Sequence, residues 1–266
     1  MKIKILSLFI FIPLLSILPQ KFKIEFFPDV KLYKRYFADA ISHQFSLSKH
    51  FESNEWFGNI GNSLAFSDIT IDARKFQLSA GATAFNTLIK TPGHIQVYTV
   101  DYLVDIFLDS RITDDLTGRF IWGHLSAHYS DDGIVQLGKY PFSYVRDYIG
   151  LHLQNFLAQF NGKIYTGFFY NFHNEPVLDK HITIQIGGDG GINLSSDIFL
   201  FAAVDLKIKS EVDNGTTQSF QTGILFPYSS DTNLRIAFTH RRGFEERGQL
   251  YNLKNIKNTL GIYLDF

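Results

Sequence analysis

The chain ends Asn258-Thr259-Leu260-Gly261-Ile262-Tyr263-Leu264-Asp265-Phe266. Leu260, Ile262, Leu264 and Phe266 share one face of an extended segment, the period-two pattern of a β-strand. The same alternation recurs upstream. Phe76, Leu78, Ala80, Ala82, Ala84 and Leu88 lie opposite Lys75, Gln77, Ser79, Thr83 and Thr87. Ile198, Leu200, Ala202, Val204, Leu206 and Ile208 lie opposite Asp205, Lys207 and Lys209. Ile182, Ile184 and Ile186 alternate in the same way, as do Leu234, Ile236 and Phe238. A soluble sandwich produces this pattern with its apolar face inward, and a membrane barrel produces it with the apolar face toward lipid. The segments often exceed about ten residues, the length that a tilted membrane span requires. The reading is an all-β protein, a transmembrane antiparallel β-barrel.

The connections alternate between short and long. Short turns are expected near residues 70–73, 112–115, 161–163, 188–193 and 227–231. Longer loops are expected near 49–56, 90–95, 130–139, 173–180, 210–215 and 242–257. Outer-membrane barrels pair short periplasmic turns with longer external loops and use even strand numbers. Counting back from a last strand that descends to the periplasm gives about twelve strands, with ten as the alternative. The first would run over residues 37–48. The Gly-rich run 187–191 lacks the Lys-Ser/Thr of a phosphate loop and reads as a tight turn.

The ends and the composition fit export. Lys2 and Lys4 precede a nearly continuous apolar run over residues 5–18, which reads as a signal peptide over residues 1–20. A membrane-anchor helix is the alternative, but the run is shorter than the roughly 20 residues such a helix needs. Residues 21–36 would then form a periplasmic segment or plug the lower mouth, and 37–266 the barrel in the bacterial outer membrane. Cysteine is absent, which excludes disulfides, thiolate chemistry and Cys-based zinc sites. The formal net charge of -1 offers no basic excess for nucleic acid. The 27 Phe and 13 Tyr suit a lipid-facing wall with aromatic girdles.

Two resemblances add to this. The terminal aromatic strand resembles the signature by which the barrel-assembly machinery recognises its substrates, which makes that machinery a biogenesis partner. Val100-Asp101-Tyr102, Arg119 and the run from His124 through Ser126, His128 and Ser130 to Asp132 resemble a domain-of-unknown-function family of bacterial outer-membrane proteins. Its members carry a His, then Ser-Ser-His, then Gly-Asp-Glu. Here Ala127 stands between Ser126 and His128, and Ser130-Asp131-Asp132 replaces the last three. Phe37-Ala38-Asp39 and Gly248-Gln249 agree more weakly. The resemblance implies an outer-membrane barrel without an assigned activity.

Three constellations could carry chemistry. The first is His124-x-Ser126, whose side chains point the same way roughly 6–7 Å apart along a strand. Outer-membrane phospholipase A and lipid A deacylase use a His-x-Ser pair near the outer rim. Ser126 would be the nucleophile, His124 the base and Asp131 a candidate third member. The alternative is a polar rim network of His124, Ser126, His128, Ser130 and Asp132. Strict alternation puts His124 and Ser126 with Phe120 and Trp122, toward lipid. A bulge near Gly123 would turn them inward, and the cost of histidines in lipid favours that bulge. The second is a divalent cation at His128, Asp131 and Asp132, although no cofactor is required. The third is a lumen carrying Asp101, Asp105, Arg119, Asp205, Lys207, Arg235 and Arg241, either a narrow transport channel or a closed interior of ion pairs. The expected partners are outer-membrane lipid and lipopolysaccharide, with no protein partner.

Overall fold

A computed structural model describes residues 21–138, 140–229 and 232–266. The expected signal peptide lies outside the described residues. β1 (Phe22–Phe26) is a short outlying strand. The wall follows as β2 (Phe45–His50), β3 (Glu55–Ile71), β4 (Arg74–Thr91), β5 (His94–Arg111), β6 (Leu116–Tyr129), β7 (Tyr144–Leu157), β8 (Gly162–Glu175), β9 (Ile182–Ser195), β10 (Ile198–Lys209), β11 (Gly215–Pro227), β12 (Asn233–Phe244) and β13 (Lys254–Asp265). Each wall strand pairs antiparallel with the next, and β13 pairs with β2 through Ile262↔Leu47. The result is a closed barrel of twelve strands, so the ten-strand alternative is not needed. β1 pairs with β3 from Ser67 to Ile71, extending the seam below the short β2.

Closure satisfies the backbone without an edge, which a lipid-embedded sheet requires. The faces then follow from parity. Along β4, Leu78 and Ala82 face outward, while Gln77, Ser79, Thr83 and Thr87 are buried inside. Along β10, Leu200, Ala202 and Val204 face outward, against buried Phe201, Asp205 and Lys207.

Several connections differ from expectation. The first wall strand starts at Phe45, not Phe37. Residues 37–44 instead enter the lumen, where Asp39 binds Lys207 at 2.6 Å and His43 binds Asp105 at 2.9 Å. The turn expected at 188–193 is strand, and the chain reverses at Ser196-Asp197. Gly187 is needed for space: a Cβ there would lie 2.3 Å from the Tyr165 hydroxyl. The connection at 90–95 is a tight turn at Pro92-Gly93, with Gly93 at positive φ. The long upper loop carries a helix, α1 (Asp131–Leu137), capped by the Ser130 hydroxyl, which accepts from the Gly133 amide.

Two segments fill the lumen. From below, residues 28–44 enter between the walls. The Gln77 side chain on β4 accepts from the Leu32 amide and donates to the Val30 carbonyl, and Gln154 on β7 does the same for Lys34. These amides satisfy plug backbone that has no ladder of its own. Tyr36 stacks on Tyr165 at 3.5 Å between ring centroids. From above, residues 245–253 fold inward. The Gly248 amide donates to Asp101 at 2.8 Å, and Gln249 donates to the carbonyls of Ala127 and Phe142. A cavity of about 150 Å³ remains between the plugs, bordered by Asp105, Arg119, His152 and Lys207. Another of about 260 Å³ lies beside the lower one.

The seven charges expected in the lumen all face inward. Arg119 forms a two-point bridge to Asp109 at 2.6 and 2.8 Å. Asp205 accepts from Tyr165 and Gln185. Lys207 also reaches Glu246 at 3.2 Å. Arg235, fully buried, binds Asp265 at 2.7 Å and Gln221 at 2.5 Å. Arg241 stands beside Arg247 in a small upper cavity.

Two tests follow from this packing. Breaking a buried pair costs more than the pair itself contributes, because the remaining charge stays desolvated. Arg35 keeps its hold on Asp265 at 2.6 Å, so Arg235→Met should lower stability by up to about 3 kcal/mol in a reversible denaturant titration. Adding Asp265→Asn should return part of that loss, and an additive double variant would contradict the pairing. The upper plug adds a pH dependence. Burial pushes Glu246 up, but Lys207, Lys209 and Arg241 outweigh burial and hold its carboxyl at about 2, against an ordinary 4.5. Glu245 is depressed in the same way: burial is opposed by Lys257 and Arg241. A carboxyl depressed on folding stabilises above its unfolded value and loses that contribution as pH falls toward its folded value. Hydrogen exchange in residues 245–253 should speed up as pH drops below about 4.5 toward 2, after correction for intrinsic rates. Plug opening on raising the pH would have the wrong sign.

Candidate functional site on the outer face

β6 runs in strict alternation. Ile121, Leu125, Ala127 and Tyr129 are buried inside, while Phe120, Trp122, His124 and His128 are exposed outside, with Ser126 between them and half-buried. The register with β5 passes Gly123 without a shift, so the expected bulge is absent. Gly123 answers an inward constraint. A Cβ there would lie 2.1 Å from an Asp105 carboxylate oxygen and 2.4 Å from the Tyr148 ring, two groups joined by a 2.6 Å hydrogen bond. The glycine makes room for that bond, and the histidines remain on the lipid side.

The neighbouring strands bring partners to the same height. His124 is paired across the sheet with Asp147 on β7, and Asp147 with His173 on β8. His124 Nδ1 lies 2.6 Å from Asp147 Oδ1, and His173 Nδ1 lies 2.8 Å from Oδ2. With Nδ1–H donated to the carboxylate, His124 Nε2 is left as the basic nitrogen. Ser126 occupies the next outward position above His124, opposite Tyr102 and Val145. Among the described residues its hydroxyl makes no hydrogen bond, to His124 or to any other group. His128 lies one step higher, with its ring 6.0 Å from Tyr102.

This row lies at the upper margin of an apolar belt. Outward positions below it are Ile106 and Leu108 on β5, Phe120 and Trp122 on β6, Ile149 and Leu151 on β7, and Phe168 and Tyr170 on β8. A carboxylate and imidazoles on a lipid-facing wall are expensive to keep, and their default meaning is functional. The side chains of His124 and His173 are 47% and 50% exposed, so they are open to whatever surrounds the barrel.

The remaining sequence-derived candidates separate from this row. Asp131 and Asp132 occupy the exposed first turn of α1, where acidic side chains favour the helix dipole. Asp131 is therefore not the partner of His124, and Asp147 holds that place. Ser130 is spent on capping the helix. No group of three or more His, Asp or Glu side chains among the described residues is arranged to hold a metal ion. Asp147 was missed in the sequence although a signal existed: it is an acid on the outward face shared with Val145, Ile149 and Leu151. His173 gave no such signal. A register shift opposite Asp147 and Tyr148 leaves Phe172 as an extra residue in β8, and His173 gains the outward face through that bulge.

No family model matches the chain, and no curated protein matches it. Solved structures do. Outer membrane phospholipase A from Escherichia coli aligns with a TM-score of 0.52 and 15% identity over 87% of this chain and 98% of that one. An active-site mutant of the same enzyme gives 0.53 and 15% over 89% and 94%. The Salmonella typhi outer membrane phospholipase, as a dimer with bound calcium, gives 0.51 and 13% over 89% and 94%. At these identities the likeness is one of fold, and the chain has the fold of a bacterial outer-membrane β-barrel.

Proposed function

We propose that this chain is an outer-membrane lipid acyl hydrolase with Ser126 as nucleophile, His124 as general base and Asp147 as the residue that orients His124. The observation that carries the reading is the 2.6 Å contact between His124 Nδ1 and Asp147 on the outward face, one strand position from Ser126. In the proposed reaction Ser126 Oγ attacks an ester carbonyl while its proton passes to His124 Nε2. Collapse of the adduct breaks the ester bond, and His124 returns the proton to the departing alkoxide. Water, deprotonated by the same nitrogen, then releases the fatty acid and restores Ser126. A lipid ester needs no entry path, because the row already faces the bilayer. The two plugs point the same way: a lumen packed with ion pairs makes the narrow-channel role the second choice.

The reading carries its setting with it. Outer-membrane lipid or lipopolysaccharide supplies the ester, and export and barrel assembly place the chain in that membrane. Calcium bound to the Salmonella typhi phospholipase dimer makes a divalent cation a variable to test here. The family that the segment from Val100 to Asp132 resembles would share the scaffold, from which this chain departs at Ala127, Ser130 and Asp132.

Two experiments decide the matter. Purified protein in mixed phospholipid–detergent micelles should release fatty acid, assayed with calcium and with chelator. Ser126→Ala and His124→Ala should abolish release, and Asp147→Asn should lower it by about 100-fold or more. No release from phospholipid or lipid A under either condition, with discrete conductance in planar bilayers, overturns the enzyme in favour of a channel. The facing has its own test, made clean by the absence of native cysteine. A nitroxide on His124→Cys should collide freely with oxygen in vesicles, and one on Leu125→Cys should not. The reverse pattern would place the histidine in the lumen.

A further inference from the structure

His173 stands in the same row as the proposed catalytic groups, and β8 reaches it only through an irregularity. Below the bulge, Tyr165, Gly167 and Asn171 point inward. Unbroken alternation would therefore send His173 into the lumen. The extra residue at Phe172 moves His173 to the lipid side, opposite Asp147, and returns Asn174 to the interior. Bulges re-aim side chains beside functional sites, and here one brings a second imidazole to a single carboxylate.

We infer that His173 is a positioning residue for this site: it binds the Asp147 oxygen that faces away from His124 and so fixes the carboxylate plane against His124. The inference rests on the function proposed above. Asp147 Oδ1 receives His124 at 2.6 Å and Oδ2 receives His173 at 2.8 Å. Each oxygen thus has its own donor. With His173 removed, Oδ2 loses its donor and the carboxylate is free to rotate about its Cβ–Cγ bond. Rotation of Asp147 would then loosen the His124 ring that must aim Nε2 at Ser126. His173 Nε2 faces Glu175, 3.9 Å from Oε1 and beyond hydrogen-bond distance. The chain of contacts runs from His124 through Asp147 to His173, and His173 itself need not touch substrate.

The test uses full-length protein in detergent micelles. His173→Ala and His173→Phe should lower kcat about 10-fold or more with KM within about twofold, because a loosened base slows chemistry without altering lipid binding. His173→Asn, whose amide nitrogen can replace Nδ1, should recover most of the loss. The second readout does not require activity. The imidazole proton shared between His124 and Asp147 should give a downfield NMR signal in wild type, absent or exchange-broadened in His173→Ala and restored in His173→Asn. Unchanged kcat in both His173→Ala and His173→Phe, or an unchanged downfield signal in His173→Ala, overturns the inference. Wild-type protein that shows the signal and its dependence on His173 but releases no fatty acid leaves the positioning standing and removes the hydrolase.

Discussion

Everything in this molecule depends on the closed hydrogen-bond ladder that joins β13 to β2. In lipid an unpaired backbone edge costs several kcal/mol per group, so the sheet must meet itself. Once it closes, every residue is committed to one of two faces by its position in the register. A side chain can change face only where the register slips. The interior charges, the apolar belt and the outward histidines are all consequences of that one constraint. The seam where Ile262 faces Leu47 thus determines where chemistry can occur.

The two faces have different tasks. Inside, the wall and two plugs bury charges of both signs against each other, so that Asp39, Lys207 and Glu246 form a chain from the lower plug to the upper one. Such pairs offset their own desolvation only while every partner is present, which makes the interior specific to one arrangement. Outside, the wall is largely apolar below a row of polar side chains that includes His124, Asp147 and His173. Tyr148 and Asp147 are neighbours in β7 and serve opposite faces. One seals Asp105 inside, and the other orients His124 outside.

Much of the barrel could be read from the chain. The alternation around Phe76 to Leu88 and Ile198 to Ile208 carries the strand assignment, and inward Arg235, Asp205 and Lys207 follow from parity. Residues whose role depends on contacts made in space could not be read in this way. Gly123 resembles a bulge in sequence but is a space-saver for Tyr148. Gly187 resembles a turn but yields room to Tyr165. Residues 37–44 resemble a strand and become a plug, because Asp39 and His43 find their ionic partners, Lys207 and Asp105, across the lumen. His173 was hidden behind Phe172, since a one-residue slip leaves no periodic trace, whereas Asp147 was an acid in an apolar row and was legible.

The central claim is that a reactive serine faces the lipid, activated by an imidazole that its neighbouring strand holds in place. Its most direct measurement is treatment of barrel-containing membranes with a long-chain alkyl fluorophosphonate, followed by peptide mass mapping. The account predicts a covalent adduct on Ser126 that forms in the wild type and fails to form in His124→Ala. A protein that remains unmodified at Ser126, or one modified equally with and without His124, would contradict it.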